Sequence, residues 1–204
     1  MKSISIFILI SLFTISCQQK RVQLPQVSEV DKTYLTDHSA IYIFFDEETK
    51  QAKLNRSNLI TSTHWVFHVD KRNSLYQSGL QIDKMQTKKE NPMNPHNNPS
   101  SRNYFSVAEM TQKQLGFIDF TPTRFRFFQA ENQLKTANSI QVFVRKDGFY
   151  IDGEKIYLSE FSKNANKSYL WVFDGAISFE DFVRIYQSLL KVEIIPSEIF
   201  YTKS

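Results

Sequence analysis

Three side chains in the first half of the chain, His64, His68 and Asp70, are of the types that bind metal ions or move protons. The alternation of residues 63–70 sets them on one face of a strand, opposite Trp65, Phe67 and Val69. At about 3.3 Å per residue, positions 64 and 68 stand about 13 Å apart, too far for one ion held about 2.0–2.2 Å from each ligand. Only His68 and Asp70 remain to cooperate, with His38 and His96 at positions the sequence does not fix, so no metal and no cofactor is expected. Arg124 and Arg126, with Phe125 and Phe127 facing away, offer a basic strand face that suits an anionic group such as a lipid phosphate or a wall carboxylate. The same pattern also describes the wet face of an ordinary strand. Carboxylates cluster at Asp46-Glu47-Glu48 and Glu180-Asp181, where they read as solvated turn and helix-cap acids rather than as a general acid and base. No nucleophile elbow, phosphate-binding loop or dinucleotide fingerprint is present, and catalysis is not expected.

The one cysteine, Cys17, cannot form an intramolecular disulfide. Lys2 precedes an apolar run at residues 4–15, broken only by Ser5, Ser11 and Thr14 and closed by Gln18-Gln19-Lys20-Arg21. That run has the length of a secretory signal, short of the roughly 20 apolar residues a spanning helix needs. Thr14-Ile15-Ser16-Cys17 resembles the lipobox of bacterial lipoprotein signals, with the small residue before the cysteine and with Thr14 where the family prefers Leu. The resemblance implies that residues 1–16 are removed and that Cys17 is acylated and holds the protein to a membrane on the periplasmic side. Gln18, in place of the Asp that often retains lipoproteins at the inner membrane, implies the outer membrane. Several acyl chains at about 0.8 kcal/mol per buried CH₂ make a stable anchor. Residues 17–35 have little apolar periodicity and read as a polar tether, spanning roughly 20–25 Å as a coil.

The rest of the 204 residues fits one domain or two small packed ones. With 18 Phe and 9 Tyr against 5 Gly, it reads as a folded, aromatic-packed chain. The net charge of +4 is dispersed along the sequence, which argues against a nucleic-acid partner.

Strand patterns appear at residues 40–45, 63–70, 124–127 and 140–144, with more in the last third. A poorly patterned helix containing Gly79 is expected over residues 74–86, then a long loop over 87–103 with Pro92, Pro95 and Pro99. Residues 105–115 suggest a helix ending at Gly116. Lys146-Asp147-Gly148 and Asp152-Gly153 are turn signals, Ser159 can cap a short helix to about residue 164, and residues 169–173 read as a buried strand. Ser178-Phe179-Glu180-Asp181 matches a capping box that opens an amphipathic helix to Leu190. A final strand, residues 192–201, contains Pro196 and is therefore placed at a sheet edge, with Ile199 as a contact for another chain. Trp65-Val66-Phe67 and Trp171-Val172-Phe173 form a faint internal echo, explained either by duplication or by coincidence of two aromatic core strands.

The order of the last third resembles the periplasmic domain of the ExbD/TolR family. The residues that carry it are 140–144, Lys146-Asp147-Gly148, Tyr150-Ile151-Asp152-Gly153, Leu158-Ser159-Glu160, Asp174 and 182–190. Members of that family cross the inner membrane on a helix bearing an acidic residue for proton-driven work, and this chain has a lipobox signal instead. The resemblance thus implies association with other envelope proteins, or contact with the cell wall, without proton coupling. The expected fold class is α+β, a mixed or antiparallel sheet with a few packed helices, in an N-terminal part (36–135) and a C-terminal β-hairpin-α-β-α-β unit (136–204). The expected function is that of a lipid-anchored association module with an envelope protein partner, in a transport or integrity complex. The alternative is an envelope enzyme or binding protein acting on cell-wall or carbohydrate material.

Overall fold

The alternation at residues 63–70 has a direct structural consequence: in the computed structural model Trp65, Phe67 and Val69 are fully buried on one face of their strand. The structure describes residues 21–91, 98–128, 139–161 and 168–203. The first half runs β1 (Gln26–Val27), β2 (His38–Phe45), β3 (Ala52–Asn55), β4 (His64–Val69), α1 (Leu75–Lys89), β5 (Asn103–Glu109) and β6 (Gln114–Asp119). The second runs β7 (Arg124–Phe127), β8 (Ser139–Arg145), β9 (Gly148–Ile151), β10 (Glu154–Ile156), a 3₁₀ turn (Leu158–Glu160), β11 (Ser168–Phe173), α2 (Phe179–Lys191) and β12 (Glu198–Tyr201). These strands make two six-stranded mixed sheets, so the fold is α+β. In the first sheet the order is β3-β2-β4-β5; β4 and β1 share one side of β5, and β6 lies on the other. In the second sheet it is β10-β9-β8-β11-β12-β7.

One topology is used twice. A hairpin (β2-β3 or β8-β9) is followed by a strand parallel to its first member (β4 or β11), a crossover helix, and a further parallel strand (β5 or β12). The registers agree as well. Ile43 pairs with Val69 and its carbonyl accepts from Asp70 N at 2.9 Å; Val144 pairs with Phe173 and its carbonyl accepts from Asp174 N at 2.9 Å. Each aspartate stands four residues before the serine that caps the helix, Ser74 receiving Gln77 N and Ser178 receiving Asp181 N. The two caps meet in an antiparallel bridge, where Leu75 N donates to Ile177 O and Phe179 N to Asn73 O, both at 2.8 Å. By these registers Phe67 corresponds to Trp171, so the Trp-Val-Phe echo lies two residues out of true alignment. A two-residue shift keeps the same face of a strand buried, which is why the echo shows at all.

The two halves share one core. Phe105 of β5 stacks on Phe120 at 3.8 Å between ring centroids, and meets Phe125 of β7 and Phe179 and Phe182 of α2 edge-on at 5.3–6.2 Å. All five rings are fully buried, each contributing on the order of 1.5–3 kcal/mol. α1 closes the second sheet at β7: Gln86 Nε2 donates to Thr123 O (2.8 Å), and Gln86 Oε1 accepts from Phe125 N (3.0 Å). Gly79 permits this approach, because a Cβ there would lie 2.9 Å from the Tyr201 ring.

Several expectations are corrected. Residues 105–115 form the β5-β6 hairpin instead of a helix: Phe105 and Val107 point inward two apart, and Glu109 accepts the turn's Thr111 and Gln112 N–H groups. Met110 and Leu115, apolar residues within the span expected to be helical, are 48% and 43% exposed. The tether region is folded over its described later part, since β1 pairs with β5, Lys32 bridges to Phe117, and Val27 and Leu35 are buried. The loop set at 87–103 is narrower, because α1 extends to Lys89; residues 92–97 lie outside the described residues. The short helix after Ser159 is a 3₁₀ turn over its described part, and residues 162–167 lie outside. The last strand begins at Glu198, past Pro196, so proline does not interrupt it and it pairs on both sides, with β11 and β7. It is interior, not an edge.

Candidate functional site

The outer face of the first sheet holds His38, His64 and His68, and His96 lies outside the described residues. His68 Nδ1 lies 2.8 Å from Ser106 Oγ, with its ring 4.7 Å from that of Tyr42 on the neighbouring strand. Burial, with repulsion from His38 second, lowers its pKa to about 4, so it is neutral at pH 7. His64 Nδ1 accepts from Arg102 N at 3.0 Å. Asp70 is fully buried past the strand end and accepts from Gln23 N, Arg72 N and the Arg72 guanidinium. Each of these groups thus has a partner of its own. Among the described residues no three His, Cys, Asp or Glu side chains are grouped as a metal site.

The remaining residues singled out in the sequence are also dispersed. Arg124 is held under α1 by Glu90 (2.9 Å), Thr87 (2.7 Å) and Asp83 (3.4 Å). Arg126 stays half exposed beside Glu198 at 3.4 Å, so the two arginines do not form a joint anion site. Ile199 is fully buried between Trp171 and Phe125, which removes it as an edge contact. Asp181 takes part in the Ser178 cap, while Glu180 pairs with Arg184 and Lys71. Cys17 lies outside the described residues.

What sequence reasoning missed is the other end of the first sheet. Among the described residues β3 pairs with β2 alone, Tyr42 to Asn55 through Phe45 to Ala52, and is the terminal strand. At its outer face and C-terminal end lies a shallow, open groove of about 570 Å³ lined by Phe44, Lys53, Leu54, Asn55, Arg56 and Ser57. Lys53 is paired with Asp46, whose carboxyl is held well below the usual range by that ammonium and by Thr49. Arg56 is exposed and has no carboxylate partner among the described residues. The groove lining therefore carries two cations and no acid.

The corresponding strand of the second sheet, β9, is covered. Asp152 and Gly153 take positive φ values of 51° and 85°, the geometry of a tight hairpin turn, and fold β10 back antiparallel onto β9. After β3 the chain instead makes a turn in which Asn55 Oδ1 receives Ser57 N and Oγ, then leaves toward β4. The sequence signal was the absence of an Asp-Gly pair after β3.

A second concavity, also about 570 Å³, lies between residues 29–32, β6 and the end of α2. Four of its polar side chains are bonded: Asp119 to Arg102 and Thr121, and Lys32 Nζ to Tyr104 OH at 3.2 Å. Compared with protein-family models, with characterised proteins and with solved structures, the chain gives no match.

Proposed function

We propose that this chain is a lipoprotein of the cell envelope, acylated on Cys17 and held at the periplasmic side of the outer membrane. There it acts by binding, as an association module within a transport or integrity complex. The observation that carries the reading is the open outer edge of β3 with its groove, because an unpaired strand edge is the place where another chain adds most readily. The anchor rests on the charge, apolar run and lipobox-like residues before Cys17. Among the described residues no helix is long and apolar enough to cross a membrane. Catalysis is not part of the reading: Asp119 beside the second concavity is engaged with Arg102 and Thr121, and His68 with Ser106.

The test has two readouts. Mass spectrometry of membrane-extracted protein should find acylated Cys17 as the first residue, and affinity isolation of the tagged protein from membranes should recover a stoichiometric partner. An unmodified Cys17 preceded by residues 1–16 removes the anchor. Protein that emerges from mild detergent alone, with no partner after crosslinking, removes the association.

A further inference from the structure

The repeated topology supplies a template for what the open edge takes. In the second half, the hairpin's outer strand β9 carries β10 antiparallel, with Glu154, Lys155 and Ile156 opposite Ile151, Tyr150 and Phe149. In the first half the same position beside β3 is empty among the described residues. We propose that the outer edge of β3 receives an extended peptide segment of a partner protein as an antiparallel strand, one in which acidic and apolar residues alternate. This deepens the association reading and rests on it.

The alternation follows from the pleat. Ala52 and Leu54 pair with Phe45 and Ile43 and belong to the core-facing side, whereas Lys53 pairs with Phe44 on the outer side. Residues two apart on an added strand face the same side, so one set meets Ala52 and Leu54 and the other meets Lys53, already paired with Asp46, and Asn55, with Arg56 just past the strand end. Apolar side chains suit the first set and carboxylates the second. Arg56, without a carboxylate of its own and able to hold one by two parallel hydrogen bonds, reads the acidic residue nearest the groove's end. A second copy of this chain is the obvious competing occupant. It would bring Lys53 and Arg56 into one short row with their own equivalents, and like charges across a strand pair repel.

The experiment uses the soluble chain from Gln18 onward, with Cys17 and the signal removed, and an acetylated, amidated hexapeptide alternating Glu and Val. Its Lys-Val counterpart is the control. Binding is followed by amide shifts and hydrogen exchange. The Glu-Val peptide should protect alternate amides of β3 and leave β9 and β10 unchanged, and the Lys-Val peptide should not bind. Arg56→Glu should weaken the Glu-Val peptide about tenfold and restore the Lys-Val peptide. Leu54→Pro, which removes a backbone donor at the edge, should abolish protection; unchanged β9 exchange in that variant certifies the fold. Equal binding of both peptides overturns the acidic assignment, and saturation without β3 protection overturns the edge. Dimerisation of the free chain through β3 overturns it in favour of self-association. Recovery of an envelope partner from membranes is measured independently, so a negative peptide result leaves the association reading standing, and a missing partner leaves the peptide result standing.

Discussion

The two halves are built on one plan and differ at the ends of their sheets, most plainly beside the hairpins. In the second, an Asp-Gly turn folds β10 over the outer strand of the hairpin; in the first, the chain turns away and, among the described residues, β3 keeps a bare edge. Neither difference changes the core, because the rings of both halves meet at Phe105. A fold can thus repeat its packing strictly while varying its edges freely, and edges are where sheets recruit other chains.

The comparison is broken most severely at the shared core. Phe105→Ala should cost about 3–5 kcal/mol and should lower one common unfolding transition, since both halves lose the same contact. Two separate transitions in calorimetry would show that the halves fold independently.

Next in size is the closed end of the second sheet. Gln86→Leu strands Phe125 N–H and Thr123 C=O, each fully paired by that amide, and should destabilise by about 2–3 kcal/mol in urea titration. An effect below about 0.5 kcal/mol would mean that α1 does not seal β7.

The core positions were legible because burial enforces period: Trp65, Phe67 and Val69, and the α2 face with Phe182 and Tyr186, could be read directly. The antiparallel hairpin of β5 and β6 was not, since Met110 and Leu115 are apolar residues left in water and imitate a helix. Edge status was misread at Pro196 because a proline two residues before a strand says nothing about that strand's neighbours. Arg124 and Arg126 looked equivalent in sequence, and only the approach of α1 separates them. The β3 groove was invisible because it depends on what fails to pair there, a property of topology rather than of residue type.

A comparable effect distinguishes the outer faces of the sheets by pH. His68 has a folded pKa of about 4 against 6.5 for the free side chain, so the unfolded chain binds more protons between those values. Stability is therefore full above pH 6.5 and lost as the pH falls toward 4, by on the order of 3 kcal/mol. In His68→Gln the denaturation midpoint should be flatter across that window. An unchanged acid limb would assign the proton uptake elsewhere.

Smaller, and sharper for the comparison, is Gly153→Val. A β-branched residue at φ 85° should undo the turn, costing about 1 kcal/mol and exposing β9. Amides of β9 should then exchange as those of β3 do; continued protection would mean that β10 does not depend on the turn.

The account turns on β3 being the contact edge in the envelope, and photo-crosslinking in living cells tests this most directly. A benzophenone amino acid is placed singly at Ser57, which lines the groove beside Arg56, in the first half and at Lys155 in the second. The account predicts a discrete adduct of higher mass from position 57 and none from position 155. Adducts from 155 alone, or in equal yield from both, would contradict it.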